Sequence, residues 1–119
     1  LIRIQSSLSV ACPFCIDMNS FEYQKNGITQ EEMQVLAGRT KIENVKTFSA
    51  RERLAINYTS LISQTPVMIP QEFMVKIKAE FNEREIVIIA STAAQVNYWA
   101  RLIKALGVPP AGFSNTCDF

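Results

Sequence analysis

Two thiols separated by two residues, in Cys12-Pro13-Phe14-Cys15, are the groups in this chain best suited to chemistry. If Pro13 opens a helix, the two sulfurs lie about one turn apart, near enough to form a disulfide with little rearrangement. A chain with no secretory signal uses such a pair for redox work or for a metal. A structural zinc site wants four ligands, yet the sequence has no histidine and its only other thiol, Cys117, stands near the far end. An iron-sulfur cluster fails on the same count. Redox work is the favoured reading, with a metal site and an inert buried pair as its rivals.

A helix start favours a neighbouring anion by only ~0.3 to 1 kcal/mol, under about one pKa unit. From a free thiol near ~8.5 that leaves thiolate a minority at neutral pH. A proton acceptor is needed, and with no histidine in the chain it cannot be imidazole. On a helix, Met18, Asn19 and Glu22 share the face of Cys15. Asn19 can orient a water or a thiolate but cannot take the proton. Glu22 could take it, although a solvated surface charge is the better reading of a glutamate there.

The elements that must hold this pair read as helices. Leu1 to Val10 is helix by length and context, although Ile2 and Ile4 alternate well enough to permit a strand. Pro at the first helical position starts the cysteine helix, predicted to run to about Lys25 and stop at Asn26-Gly27. Capping boxes at Thr29/Glu32, Ser49/Glu52 and Asn82/Glu85 predict helices over Gln30 to Leu36, Ala50 to Ser63 and Glu83 to Leu106, with Gly38 and Gly107 as terminators. Another should follow Pro70 and run to about Phe81, after breaks at Thr65-Pro66 and Ile69-Pro70; Pro109-Pro110 begins an irregular tail. The fold class is all-α. Along the last helix Ile86, Ile89, Ala90, Ala93, Val96, Ala100 and Ile103 keep helical spacing with further apolar residues around the cylinder, so it should be central or packed on a second subunit.

Length and composition set the outer limits. At 119 residues the chain reads as one domain, 1–119, and its start within an apolar-periodic segment suggests missing N-terminal residues. Apolar residues make up 48%, charged residues 19%, and the formal net charge is +1, which is a globular composition without the basic field of a nucleic-acid binder. No nucleic-acid partner, no membrane and a cytoplasmic location are expected. Asn97 and Arg101, one turn apart on an apolar helix, read as an internal hydrogen-bond network ahead of a pocket or interface. Arg51 and Arg53 should reach neighbouring carboxylates. Val67 and Met68 read as fillers of core gaps, Asn57-Tyr58-Thr59 as a chance sequon, and Cys117 as a free, unreactive thiol.

The stretch Cys12-Pro13-Phe14-Cys15-Ile16-Asp17-Met18-Asn19-Ser20, followed by Ile28-Thr29-Gln30-Glu31-Glu32, resembles the carboxymuconolactone decarboxylase and AhpD-like alkylhydroperoxidase superfamily. Phe48-Ser49-Ala50-Arg51-Glu52-Arg53 resembles it too, as does Asn82-Glu83-Arg84-Glu85-Ile86-Val87 running on to Asn97-Tyr98-Trp99-Ala100-Arg101-Leu102 and Ala105-Leu106-Gly107-Val108-Pro109-Pro110. The resemblance implies an AhpD-like helical bundle that assembles into trimers or hexamers and reduces hydroperoxides with an external thiol electron donor and no bound cofactor. It implies that Cys15 meets the peroxide and Cys12 resolves the sulfenic acid to a disulfide. In such enzymes a glutamate and a histidine relay protons; Asn19 stands where the histidine would be, and the glutamate counts back to just before Leu1. Two other functions compete: a non-enzymatic redox sensor or oligomeric scaffold, favoured by Asn19, and a carboxymuconolactone decarboxylase-type enzyme.

Overall fold

The structure is a computed structural model that describes residues 1–113, so Cys117 lies outside the described residues. The order is α1 (Ile2–Ser9), α2 (Pro13–Ser20), α3 (Gln30–Leu36), a single 3-10 turn (Ile42–Asn44), α4 (Ala50–Ile62), α5 (Gln71–Glu80) and α6 (Glu83–Leu106). Among the described residues there is no strand, so the fold is all-α and the strand permitted at Ile2 and Ile4 is helix.

All three capping boxes form. Thr29, Ser49 and Asn82 each accept the amide of the glutamate three residues on, and that glutamate's carboxylate accepts the capping residue's own amide. These pairs satisfy first-turn amides that have no partner within the helix. At the other end of α6, Gly107 takes the left-handed φ of +66° that closes the helix, a conformation costly for a residue with a Cβ.

α2 is shorter than its sequence indicates. The chain leaves the helix at Phe21, whose ψ of 125° is extended, and Glu22 follows with φ +52°. Residues 21–27 then form successive turns instead of the expected helix to Lys25. The redirection brings Tyr23 against the core of Ile4, Ile28, Met33, Leu36, Phe48 and Ile56. This contact competes successfully with the weak intrinsic preference for further helix.

α1 packs against α2, α4 and α6, and α6 also packs on α2, α4 and α5. A second core, Ala55, Tyr58, Ile77, Phe81 and Ile89, ties α4, α5 and α6 together. α6 is long and apolar enough, by length and composition, to cross a membrane, but its buried line of Ile89, Ala93, Val96 and Ala100 is the core face of a bundle. Across the cylinder, Val87, Ile88, Tyr98, Trp99, Leu102 and Leu106 are exposed. At 100° per residue these six fall within one stripe of about 120°.

The other side chains singled out divide clearly. Asn97 donates to Ser63 Oγ (3.0 Å) and to the Ala93 carbonyl (2.9 Å), the internal network expected of it, whereas Arg101 is exposed and reaches Thr65 Oγ1 (2.7 Å). Arg51 pairs with Glu85 (2.8 Å) and lies over the Phe81 ring. Arg53 departs from expectation: it donates to the carbonyls of Phe48, Ile42 and Val45, because the loop before α4 leaves those oxygens without helical partners. Val67 and Met68 fill no core gap; they are 59% and 69% exposed, since the proline-flanked link holds them away from both cores.

Candidate active site

α1 and α2 meet at a sharp corner, and the cysteines sit on its inner side. Ala11, at φ +48°, turns the chain in a conformation uncommon for a residue with a Cβ. Lys104 of α6 donates to its carbonyl oxygen (3.3 Å), and the Cys12 amide donates to the Ser7 carbonyl (3.2 Å). Cys12 thereby becomes the N-cap of α2, with an extended backbone and its sulfur accepting the Cys15 amide (3.4 Å). Pro13 takes the first helical position, where no amide hydrogen is needed.

The two sulfurs are 2.7 Å apart, packed against Ala100 of α6 with Val10, Phe14 and Ile103 around them. They are not equivalent. Cys12 is fully sealed, while Cys15, 5% exposed, forms part of the wall of a 460 Å³ cavity between α1, α2 and α6. Phe14, Met18, Val96, Trp99 and Ile103 make that cavity mainly apolar, and Arg3, Asn19 and Gln95 supply its polar groups.

Burial pushes the Cys15 thiol up to about 12 from an ordinary 9.0, and its hydrogen bond with Cys12 adds to the rise. Placement at a helix start does not overcome desolvation here. Asn19 does lie beside Cys15 in the cavity wall, one turn along α2, as its spacing implies. Its amide nitrogen is already committed to Ser7 Oγ (2.8 Å), and that hydroxyl donates to the Arg3 carbonyl (2.7 Å). This chain of hydrogen bonds positions Asn19 but ends on a carbonyl, which takes no proton at ordinary pH. Glu22 is outside the site: it is exposed and ion-paired with Lys25.

Three features escape sequence reasoning. Ser7 passes for an ordinary polar residue of a short helix, and nothing in the pattern shows that it is wholly buried against α2. Arg3, Gln95 and Trp99 meet only because α1 and α6 converge on α2. Asp17, two residues after Cys15, is 1% exposed and accepts the amides of Gly112 (2.8 Å) and Phe113 (3.0 Å), fastening residues 112–113 to α2. The rings of Phe113 and Phe21 reinforce that fastening at 5.9 Å between centroids. Among the described residues, no three His, Cys, Asp or Glu side chains gather as metal ligands.

No family model matches the chain. It is 27% identical over 108 residues to the uncharacterized protein YdfG of Bacillus subtilis, covering 90% of this chain and 71% of that one. It is 26% identical over 113 residues to the uncharacterized protein YnjA of Escherichia coli, covering 94% of this chain and 60% of that one. In three dimensions it is similar to ATU0492 of Agrobacterium tumefaciens, a protein of unknown function provisionally described as an AhpD antioxidant defence protein, with a TM-score of 0.78 and 19% identity over 92% of this chain and 73% of the other. The helical architecture, with a Cys-x-x-Cys pair at the start of its second helix, is thus the AhpD-like fold.

Proposed function

We propose that the chain is an AhpD-like thiol peroxidase in antioxidant defence, reducing hydroperoxides through a Cys12/Cys15 dithiol-disulfide cycle. The observation that carries the reading is the asymmetry of the pair: one sulfur opens on an apolar cavity and the other is sealed 2.7 Å from it. In the first step the Cys15 sulfur attacks the outer oxygen of the hydroperoxide, the O–O bond breaks, and the alcohol leaves with a proton. Cys15 is then a sulfenic acid. The Cys12 sulfur displaces its hydroxyl, the S–S bond forms, and water leaves. The pair has given two electrons, which an external thiol donor restores by disulfide exchange.

The exposed apolar stripe of α6 supports a homo-oligomer, a trimer or hexamer in this reading, because a monomer rarely leaves such a stripe in water. The test of function is turnover: reduced protein, a hydroperoxide and a thiol donor should consume peroxide catalytically and pass through an intramolecular Cys12–Cys15 disulfide. Consumption no faster than that of an ordinary free thiol would defeat the proposal.

Two observations favour a second reading, a redox sensor. Cys15 is held protonated, and the side chain nearest to the expected relay position is an amide already engaged with Ser7. A sensor needs one slow oxidation and no turnover. Oxidation that changes the oligomeric state without catalytic consumption of peroxide would select it.

A further inference from the structure

We propose that the cavity beside Cys15 takes apolar monocarboxylates, with the carboxylate held by Arg3 and the hydrocarbon body lying along Trp99 and Met18 toward the thiol. Three observations carry this. The walls are mainly apolar, and 460 Å³ lies within the ~300–1,000 Å³ of small-molecule sites, far more than hydrogen peroxide needs. The polar groups are few, and Arg3 is the only charged one, so the cavity has one cationic point and no anionic one.

Arg3 also has spare capacity. It forms no ion pair among the described residues, and its guanidinium offers five donors in a planar fork that fits a carboxylate. The residue lies toward the Met18 and Asn19 end of the cavity, where it also borders a more polar hollow lined by Glu32 and Glu52, whose carboxylates accept the Thr29 and Ser49 amides, while Cys15 and Phe14 lie one turn back along α2. A ligand anchored at Arg3 therefore lays its body past Met18 toward Cys15. Under the peroxidase reading, the substrates are carboxylated organic hydroperoxides.

Binding can be followed without turnover, because Trp99 is the sole tryptophan in the chain and lines the cavity. Titration of the reduced protein with decanoate should change Trp99 fluorescence saturably, about five- to tenfold more tightly than methyl decanoate, since a charge-assisted pair is lost in the ester. The preference should shrink as salt is raised. In Arg3→Gln it should fall to near unity, and Arg3→Lys should restore part of it. Ester binding in each variant reports that the cavity is intact, and the salt series in the parent carries the test if a variant does not fold. Equal binding of acid and ester, a preference that survives Arg3→Gln, or no response from either ligand overturns the proposal. Acid-selective binding in a protein that turns over no hydroperoxide would defeat the peroxidase reading and leave this one standing.

Discussion

Among the described residues four helices begin on a capping side chain, and α2 differs from α3, α4 and α6 in what it places there. The three scaffold helices use an oxygen at the N-cap and a glutamate three residues later, and each pair satisfies two amides. In α2 the same two positions are Cys12 and Cys15. Sulfur accepts the Cys15 amide at 3.4 Å, against 2.9 to 3.2 Å for the oxygen caps, and no carboxylate reaches back. The spacing that lets a capping box close on itself also lets two sulfurs meet. Position in the helix is shared; what differs is that two thiols can give up two electrons to an oxidant and join as a disulfide, and that one of them borders a cavity.

The most direct way to break this comparison is to remove one sulfur at a time, in a Cys117→Ser background so that only the pair is counted. Cys15→Ser should lose peroxide reactivity down to the level of an ordinary thiol. Cys12→Ser should consume about one equivalent, leave a sulfenic acid on Cys15 that a dimedone-type probe traps, and stop. Rapid labelling of Cys12 in the Cys15→Ser protein would reverse the assignment, and full turnover in both would end the thiol-pair mechanism.

Next in size is the proton. Asn19→His places an imidazole one turn from Cys15, and where proton transfer limits the rate its gain is ~10²-fold or more at neutral pH. Asn19→Ala should change the rate little, since the amide moves no proton. A folded histidine variant no faster than the parent would show that proton transfer is not the slow step.

Cys15 itself sharpens the contrast through pH. Its thiol is held up to about 12, so in the Cys12→Ser protein, which lacks one cause of the rise but keeps the burial, its alkylation by iodoacetamide should climb about tenfold per pH unit beyond the ordinary 9.0 without levelling there. The same shift acts on stability. The folded pKa is raised above the unfolded one, so the contribution is fully present below about pH 9 and is lost as pH rises toward the folded value. Alkylation that levels off near pH 8 would show that the thiol is not held up by burial.

The fold was legible where one residue type decides a local geometry. The Thr29/Glu32, Ser49/Glu52 and Asn82/Glu85 boxes and Gly107 act within a single turn, so their residues alone mark the helix ends. The early end of α2 was not legible, because Tyr23 packs against the first core, whose assembly depends on tertiary packing. The cysteines and Asn19 could be placed on one face from spacing. That one sulfur is sealed and the other borders a cavity depends on α6 crossing α2, with Ala100 against both. Val67 and Met68 show the limit of composition: apolar residues between two prolines read as core, yet in this link Ile69 packs on the second core while Val67 and Met68 stay in solvent.

The smallest expected effect tests the capping comparison alone. Removing an oxygen cap by Ser49→Ala or Asn82→Ala should cost about 1 kcal/mol, within the ~0.5–2 kcal/mol such losses show. It should appear as a lower urea midpoint with an unchanged slope, since neither residue alters how much surface unfolding exposes. Cys12→Ser in the reduced protein does the opposite locally, replacing a long, weak sulfur cap by an oxygen one. Against that gain stands the cost of a more polar atom at a fully sealed position packed against Ala100. The two effects oppose each other, and the urea midpoint should stay within about 0.5 kcal/mol of the parent, on the scale of a cap. A loss well above 1 kcal/mol would mean that the apolar packing of Cys12, and not its place at the N-cap, is what the fold takes from that sulfur. A gain approaching 1 kcal/mol would mean that α2 gives up stability to keep a thiol where the other helices keep an oxygen.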